Sequence, residues 1–331
     1  VDDTNGGDLT ASARAHSNIA LAKYWGKRDA ALNIPAVGSI SITLEALATD
    51  TRVTFDPALE VDELRLDGRS APAGRVSSVL DLVRERAGLE HRARVDSRND
   101  FPTGAGLASS ASGFAALAVA ACAAAGVEAT PRELSILARR GSASAARSIF
   151  GGYVELRSGT AEDGSDSYAE PLLDAADWPL AVVVAITDPG PKPVSSTAGM
   201  QATSASSPFY PAWVDSSAAA LDRMRDAVRA HDLEAVGELA EHSCLALHAL
   251  MLTTRPALVY WNAATVALIH AVRELRGSGT PVYFTIDAGP QVKALCRPAD
   301  AATVASALDA VPGVRETRTS GLGPAARITS R

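Results

Sequence analysis

Pro102-Thr103-Gly104-Ala105-Gly106-Leu107-Ala108-Ser109-Ser110-Ala111-Ser112 sets two glycines and three hydroxyls ahead of a run of helix formers, Ala115 to Ala125. Glycines let a backbone turn with its N–H groups pointing into a cavity. A helix starting there aims free N–H groups and its positive dipole end at the same point. Ser109, Ser110 and Ser112 add hydroxyls able to donate or to ligate a metal. Two readings fit the segment alone: a phosphate cradle, or a Gly/Ser turn capping an Ala-rich core helix. No G-x-x-x-x-G-K-[ST] is present, and the later acidic residue and repeating βαβ units of a dinucleotide fold are missing.

Composition narrows the field around this loop. The 331 residues suffice for one large or two medium domains, and 47% apolar with 21% charged residues describes an ordinary globular chain with a sizeable core. A net charge of -7 and the lack of a Lys/Arg run argue against nucleic acid as a main partner. The apolar stretches, Ala115–Ala125 and Ala181–Ile186, are too short to span a bilayer. The polar start, Val1 to Leu9, reads as a disordered tail without the apolar core of a signal peptide. Cys122, Cys244 and Cys296 match neither zinc spacing nor a disulfide framework, and fit buried free thiols in a reducing compartment.

Only four of the 31 basic side chains are lysines: Lys23, Lys27, Lys192 and Lys293. Where arginine is the default, each lysine is informative, because it offers a compact ammonium in place of a rigid fork. Lys293 reads as a solvated surface charge. Lys23 and Lys27 fall in His16-Ser17-Asn18-Ile19-Ala20-Leu21-Ala22-Lys23-Tyr24-Trp25-Gly26-Lys27-Arg28, with two aromatics between the lysines. That is the end of an amphipathic helix or strand, or a set of cations beside an apolar wall.

The periodicity predicts strands at Thr10–Ala15, Ser39–Leu44, Thr51–Phe55, Glu63–Leu66, Ala93–Ser97, Tyr153–Arg157, Leu180–Ile186, Val282–Ile286 and Val292–Cys296, with others near 314–317 and 326–328. Helices are expected over Val76–Ala87, ending at Gly88, and from Thr130-Pro131-Arg132-Glu133, where a capping threonine, a first-turn proline and an N3 glutamate coincide. Ser142–Ser148 reads as a short small-residue helix from which Arg147 projects, as a carboxylate clamp or a surface ion pair. Asp188–Pro193 is a Pro-rich joint opening into Ser195, Ser196 and Thr197. Helices follow over Ser216–Arg229, Leu233–Met251, Ala257–Arg276 and Ala299–Ala310. His242, His248 and His270 on them read as structural or surface residues, and no clustered His/carboxylate set suggests a transition metal. The strand Val282–Ile286 delivers Asp287 at its end, ahead of Ala288-Gly289-Pro290.

His16 to Lys27, the loop 102–112, Ser142–Arg147 with Gly151-Gly152, Val194–Met200 and Phe284–Pro290 together resemble the mevalonate diphosphate decarboxylases of the GHMP kinase superfamily. The matches run in order from about residue 11 to 300. The glycine loop is shared in softer form with homoserine, mevalonate and galactose kinases. The K-Y-W-G-K cluster, the D-A-G-P strand end and Ala108, where many kinases carry glycine, point to the decarboxylase branch. The resemblance implies a two-lobed α+β fold: residues 1–187 as a nucleotide-binding lobe of the ribosomal-protein-S5 type with a left-handed βαβ crossover, against the usual hand, and residues 188–331 as a ferredoxin-like lobe. It implies ATP-dependent decarboxylation of mevalonate 5-diphosphate, Mg²⁺ as cofactor, a cytoplasmic setting and a homodimer.

Residue by residue, Asp287 matches the family's aspartate beside the reacting hydroxyl, Arg147 the arginine on the substrate carboxylate, and Lys23 a lysine that positions the hydroxyl or neutralises the moving phosphoryl group. Tyr24, Lys27, Ser142, Ser196 and Thr197 match positions holding the substrate diphosphate. Gly104, Gly106, Ala108, Ser109, Ser110 and Ser112 are implied to hold ATP phosphates, with Ser110 on Mg²⁺, and Ser97 and Asn99 to lie near the nucleotide. There are departures: some bacterial members carry arginine where Thr197 stands, Val37-Gly38 replaces a more polar pair, and Ala146 replaces Cys or Ser. Two related activities compete, decarboxylation of mevalonate 5-phosphate and phosphorylation of the 3-hydroxyl alone. A non-catalytic ligand-binding member of the fold is the alternative from another class.

Overall fold

An eight-stranded and a four-stranded sheet carry the chain, with a small two-stranded sheet beside them. The computed structural model describes residues 9–104, 106–190 and 192–331. The tail expected over residues 1–9 therefore lies, but for Leu9, outside the described residues.

The first lobe runs through β1 (Thr10–Ala22), β2 (Lys27–Asp29), β3 (Ile34–Pro35), β4 (Ser39–Asp56), β5 (Glu63–Leu66), β6 (Arg69–Ala71), α1 (Gly74–Ala87), β7 (Arg92–Asn99), α2 (Ser109–Ala124), α3 (Pro131–Gly141), a 3-10 helix (Ala143–Ile149), β8 (Tyr153–Leu156) and β9 (Ala169–Leu173). The second contains β10 (Ala181–Ile186), α4 (Ser196–Ser206), α5 (Tyr210–Arg229), α6 (Leu233–Leu252), α7 (Ala263–Gly277), β11 (Val282–Ile286), β12 (Val292–Cys296), α8 (Ala301–Asp309) and β13 (Glu316–Ser320). The last strand, β14 (Arg327–Ser330), follows.

Two strands expected at 39–44 and 51–55 are one. β4 runs unbroken for 18 residues, pairing with β8 over Ser39–Ile42 and with β7 over Thr49–Asp56. β1 pairs with β4 along its length through two register shifts: between the His16–Ala48 and Asn18–Thr43 pairs the extra residues lie on β4, and between the Ala20–Ser41 and Ala22–Ile40 pairs the extra residue, Leu21, lies on β1. Such shifts re-aim a strand, and β1 ends at Ala22, one residue before Lys23. β9 was hidden by its proline: Pro171 lacks an N–H, which an edge strand bonded only to β8 tolerates.

Helix α2 is Ala-rich because it is buried on nearly all sides, and small side chains let it lie against β1 and β4. Helix α3 opens with the expected capping box of Thr130 and Glu133, and α1 ends at Gly88 in the left-handed region, φ 63°. Helix α7 begins at Ala263 and not at Ala257, because Asn262 Oδ1 accepts the Thr265 N–H at 2.9 Å and caps it. Helix α5 starts earlier than expected, at Tyr210. Helix α8 covers Ala301–Asp309 after a 3-10 turn, Pro298–Asp300.

The four-stranded sheet has the order β11-β12-β10-β13, every pairing antiparallel. Chain order β10, helices, β11, β12, α8, β13 with that sheet order is the split βαβ arrangement of ferredoxin-like folds. β10 precedes residue 187 yet belongs to this second sheet, while β14 returns to pair with β1 in the first. The whole is α+β in two lobes. Among the described residues no helix is long and apolar enough to cross a membrane.

Candidate active site

A cavity of about 890 Å³ opens between the lobes. Its walls come from the end of β1, the start of α2, the 3-10 helix, the segment before α4 and the turn after β11. Each site residue named from the sequence lines it except Ser112.

The glycine loop is a strained turn feeding a bare helix start. Gly104, Gly106 and Ala108 all have positive φ, at 76°, 80° and 58°. Ala108 is the N-cap of α2 and makes no side-chain cap bond; the Ala111 N–H turns back to Ala108 O at 2.8 Å, which leaves the Ser109 and Ser110 N–H groups at the helix start for another acceptor. A Cβ on Gly106 would stand 3.1 Å from Gly289 Cα, so glycine lets the loop close on the turn after Asp287. Ser109 Oγ accepts the Gly104 N–H at 3.3 Å, and Ser110 Oγ lies 3.4 Å from Ser142 Oγ. These observations fit a phosphate group at the loop. Ser112 is a correction: it is fully buried, with its Oγ 2.6 Å from Thr49 Oγ1 and 3.2 Å from Ser17 Oγ. It ties α2 to β1 and β4, on the side of the helix away from the cavity. Ser97 Oγ bonds Thr51 Oγ1 at 2.9 Å, and Asn99 Nδ2 donates to Thr103 Oγ1 at 2.6 Å. Leu64, Leu66, Val76, Phe114 and Leu117 make an apolar end beside them.

Asp287 stands between ammonium groups. Lys23 Nζ donates to Oδ1 at 2.6 Å, and Lys293 Nζ to Oδ2 at 3.3 Å. Burial by itself would raise the Asp287 carboxyl, but the attraction of Lys23 and Lys293 outweighs it and holds the group well below the usual carboxylate range. Its side chain keeps 26% exposure toward the cavity. Lys293 was expected on the surface and is instead 1% exposed. It sits on β12, an inner strand, opposite Thr285, whose hydroxyl reaches Ala20 O of β1, so this face of the second sheet meets the first lobe. Lys192 Nζ donates to Ser196 Oγ at 2.7 Å and Ala288 O at 3.0 Å, and burial lowers its ammonium to about 8.

Arg147 is a buried cation held by neutral groups. It is 2% exposed; its Nε donates to Ser41 Oγ at 2.8 Å, and its two terminal nitrogens to Ser39 Oγ and Asn18 Oδ1. Among the described residues it forms no ion pair with a carboxylate, and burial pulls it down to about 10. An uncompensated buried guanidinium costs several kcal/mol in a finished structure and signals a site that expects an anion. Tyr24 lies 5.7 Å from the guanidinium carbon, ring centroid to Cζ, and burial raises its phenol. Lys27 Nζ donates to Asn33 Oδ1 at 2.6 Å. Ser142 Oγ is 3.2 Å from Ser144 Oγ, and Ser196 and Thr197 open α4 behind the cap of Ser195.

Sequence reasoning missed Asn18, Ser39 and Ser41, which orient Arg147, and misplaced Lys293. Lysine scarcity was the available signal for Lys293. His248 is a core residue as expected: its Nε2 accepts from Trp261 Nε1 at 3.2 Å, and burial lowers it to about 3. His242 and His270 are exposed.

Lobes of this kind, closing on a glycine loop at a helix start, define the two-lobed GHMP kinase fold. A solved complex, MDDEF with MVAPP, AMPPCP and magnesium, matches it with a TM-score of 0.91 and 38% sequence identity, covering 98% of this chain and 100% of that one. The diphosphomevalonate decarboxylase-like N-terminal domain matches residues 15–169, and the mevalonate 5-diphosphate decarboxylase C-terminal domain residues 182–322. The chain belongs to the diphosphomevalonate decarboxylase family. Similar relatives include the phosphomevalonate decarboxylase of Haloferax volcanii, 39% identical over 86% of this chain and 87% of that protein. The diphosphomevalonate decarboxylase ERG19 of Gibberella zeae is 38% identical over 85% of this chain and 79% of that protein.

Proposed function

We propose that this protein catalyses the ATP-dependent decarboxylation of mevalonate 5-diphosphate to isopentenyl diphosphate, CO₂, ADP and phosphate, a step of the mevalonate pathway of isoprenoid biosynthesis. The observation that carries the reading is one cavity holding an unpaired buried Arg147, a charged Asp287 and an uncapped helix start at Ser109. A carboxylate, a reacting hydroxyl and a phosphate chain each find a complementary group there.

The chemistry follows from those groups. The tertiary C3 hydroxyl is a poor leaving group until the γ-phosphoryl of ATP is transferred to it. Asp287, ionised between Lys23 and Lys293, accepts a hydrogen bond from that hydroxyl and aligns it; as the new O–P bond forms and the bond to ADP breaks, the hydroxyl proton passes to an oxygen of the transferred phosphoryl group and Asp287 stays ionised. Lys23, bonded to Asp287, also faces the charge that moves with the phosphoryl group. When the C3–O bond breaks and phosphate leaves, positive charge grows at C3, where the Asp287 carboxylate stabilises it. The C–CO₂ bond electrons become the alkene and CO₂ departs. Arg147 holds the carboxylate until then, and its cost in the empty site is relieved by that partner.

Tyr24, Lys27, Ser142, Ser196 and Thr197 are assigned to the substrate diphosphate, with the N-terminus of α4 adding its dipole. Gly104, Gly106, Ala108, Ser109 and Ser110 are assigned to the ATP phosphates, and Ser97 and Asn99 to the nucleotide side, beside the apolar end at Leu64 and Phe114. Mg²⁺ would neutralise phosphate charge beside Ser110. Its shell is mostly phosphate and water in such sites.

A second reading, a 5-phosphate substrate, is favoured by the Haloferax volcanii relative. Lys27 and the α4 start, which supply charge for two phosphates, weigh against it. The test is a panel of mevalonate, its 5-phosphate and its 5-diphosphate with ATP and Mg²⁺. Turnover confined to the 5-phosphate overturns the diphosphate assignment. The lobe division, the homodimer and the cytoplasmic setting belong to the same proposal. Sheet topology supports drawing β10 into the second lobe, and three buried free thiols suit a reducing compartment.

A further inference from the structure

We propose that Lys293 is a positioning residue that joins the ATP-phosphate loop to Asp287, so that nucleotide seating and alignment of the reacting carboxylate are one event. The inference rests on the assignment of Asp287 above. Lys293 Nζ donates to Gly106 O at 3.0 Å and to Asp287 Oδ2 at 3.3 Å. One ammonium therefore bridges the carbonyl of a loop glycine and the carboxylate across the cavity floor. Gly106 is where the loop packs on the Asp287–Pro290 turn, since a Cβ there would stand 3.1 Å from Gly289 Cα. The two backbone segments touch, and the lysine fastens them.

A buried lysine is costly unless its donors are used. Lys293 is 1% exposed, and these two oxygens are the partners that offset its burial. A solvated surface lysine has no such arrangement. Its position on β12, next to β11 which carries Asp287 at its end, fixes the ammonium through two paired strands. A phosphate chain drawn to the loop bears on Gly106, and any shift of Gly106 is felt at Lys293 and so at Asp287.

Other charges face Asp287 from every side. Lys23 reaches it from the end of β1, Lys192 from the segment before α4, and Arg147 and Tyr24 from across the cavity. His248 and Cys244 of α6 lie beneath it; His248 is held neutral above about pH 3 and the Cys244 thiol is raised to about 12. Lys293 thus shares with Lys23 the task of keeping the carboxylate ionised. Without it the Asp287 carboxyl rises, and activity is lost at low pH through protonation of that group.

The experiment compares wild type, Lys293→Met, Lys293→Arg and Asp287→Asn by steady-state kinetics across pH, with thermal melting of each. Lys293→Met is expected to move the acid limb of kcat upward, toward the ordinary carboxylate range from which Lys23 and Lys293 together hold Asp287 down. It should also raise KM for ATP several-fold while leaving KM for the mevalonate substrate within about twofold. Lys293→Arg keeps the charge and should leave the limb near its wild-type position. A merely structural role predicts a lower melting temperature with an unmoved limb and unmoved KM for ATP, and that result overturns the inference. If Lys293→Met does not fold, melting of Asp287→Asn, Lys293→Arg and their double variant decides: additive changes contradict the coupling, and non-additive changes support it. An Asp287→Asn enzyme with full turnover would instead reject the assignment of Asp287 itself.

Discussion

Lys23 Nζ lies 2.6 Å from Asp287 Oδ1, although the two residues are 264 positions apart. The contact joins the end of the first strand of one lobe to the turn after β11 in the other, and Lys23 is 2% exposed in its side chain while Asp287 remains open to the cavity. A lysine placed so tightly on a carboxylate does not act as a free cation for bulk anions; it acts with its partner. Lys23→Met should therefore lower kcat by about a hundredfold, the scale of losing one charge-assisted contact in a transition state, with KM for ATP changed little. Stopped assays of ADP release check it, and a kcat within threefold of wild type contradicts it.

Arg147 makes a separate prediction. Because its bonds go to Asn18, Ser39 and Ser41 and not to a carboxylate, its charge is reserved for a ligand. Arg147→Ala should raise KM for the mevalonate substrate and cut kcat together, reducing kcat/KM by about 10²-fold or more. Thermal stabilisation by that substrate should also shrink. An unchanged kinetic profile would mean that the carboxylate is held elsewhere.

Lys192 gives a pH dependence with a definite sign. Burial lowers its ammonium to about 8. Its positive charge is present below that pH and is lost as pH rises through it, so affinity for anionic substrates should fall on the alkaline side. Lys192→Arg keeps its charge to far higher pH, and should extend the alkaline limb of kcat/KM upward. A limb that stays in place in this variant would assign it to another group.

Ser112 and Ser109 separate a structural hydroxyl from a binding one. Ser112→Ala removes a buried partner of Thr49 and Ser17. It should cost about 1–3 kcal/mol of stability while leaving KM for ATP unchanged. Ser109→Ala should do the reverse. Chemical denaturation alongside ATP titration reads both, and a raised KM for ATP in Ser112→Ala at normal stability would return Ser112 to the phosphate site.

Much of this architecture was legible because local chemistry and tertiary structure agree. The Thr130–Glu133 capping box, the strand ending at Asp287 and the Gly88 stop are local signals, and each element forms where its residues place it. The glycine loop could be read as a phosphate cradle, but not that Ser112 turns inward, because which face of α2 meets the sheet is decided by packing. Lys293 is the plainest case. Strand alternation says that its side chain points opposite to its neighbours', but not that this face meets the first lobe and Asp287. β4 was split in two because its apolar alternation slips at residues 45–48, where β4 itself carries the extra residues between the His16–Ala48 and Asn18–Thr43 pairs, and only the pairing with β1 shows that the strand continues through them. Asn18, Ser39 and Ser41 look like ordinary strand residues until β1, β4 and the 3-10 helix bring them around one guanidinium.

The most direct measurement is single-turnover CO₂ and ADP release by Asp287→Asn beside wild type, with ATP, Mg²⁺ and mevalonate 5-diphosphate. Wild type should release the two products in equal amounts. Asp287→Asn keeps the shape of the side chain and removes its charge, so both substrates should still bind while CO₂ release falls by about 10³-fold or more. Near-normal CO₂ release from the asparagine variant would contradict the role given to Asp287 and to the lysines around it.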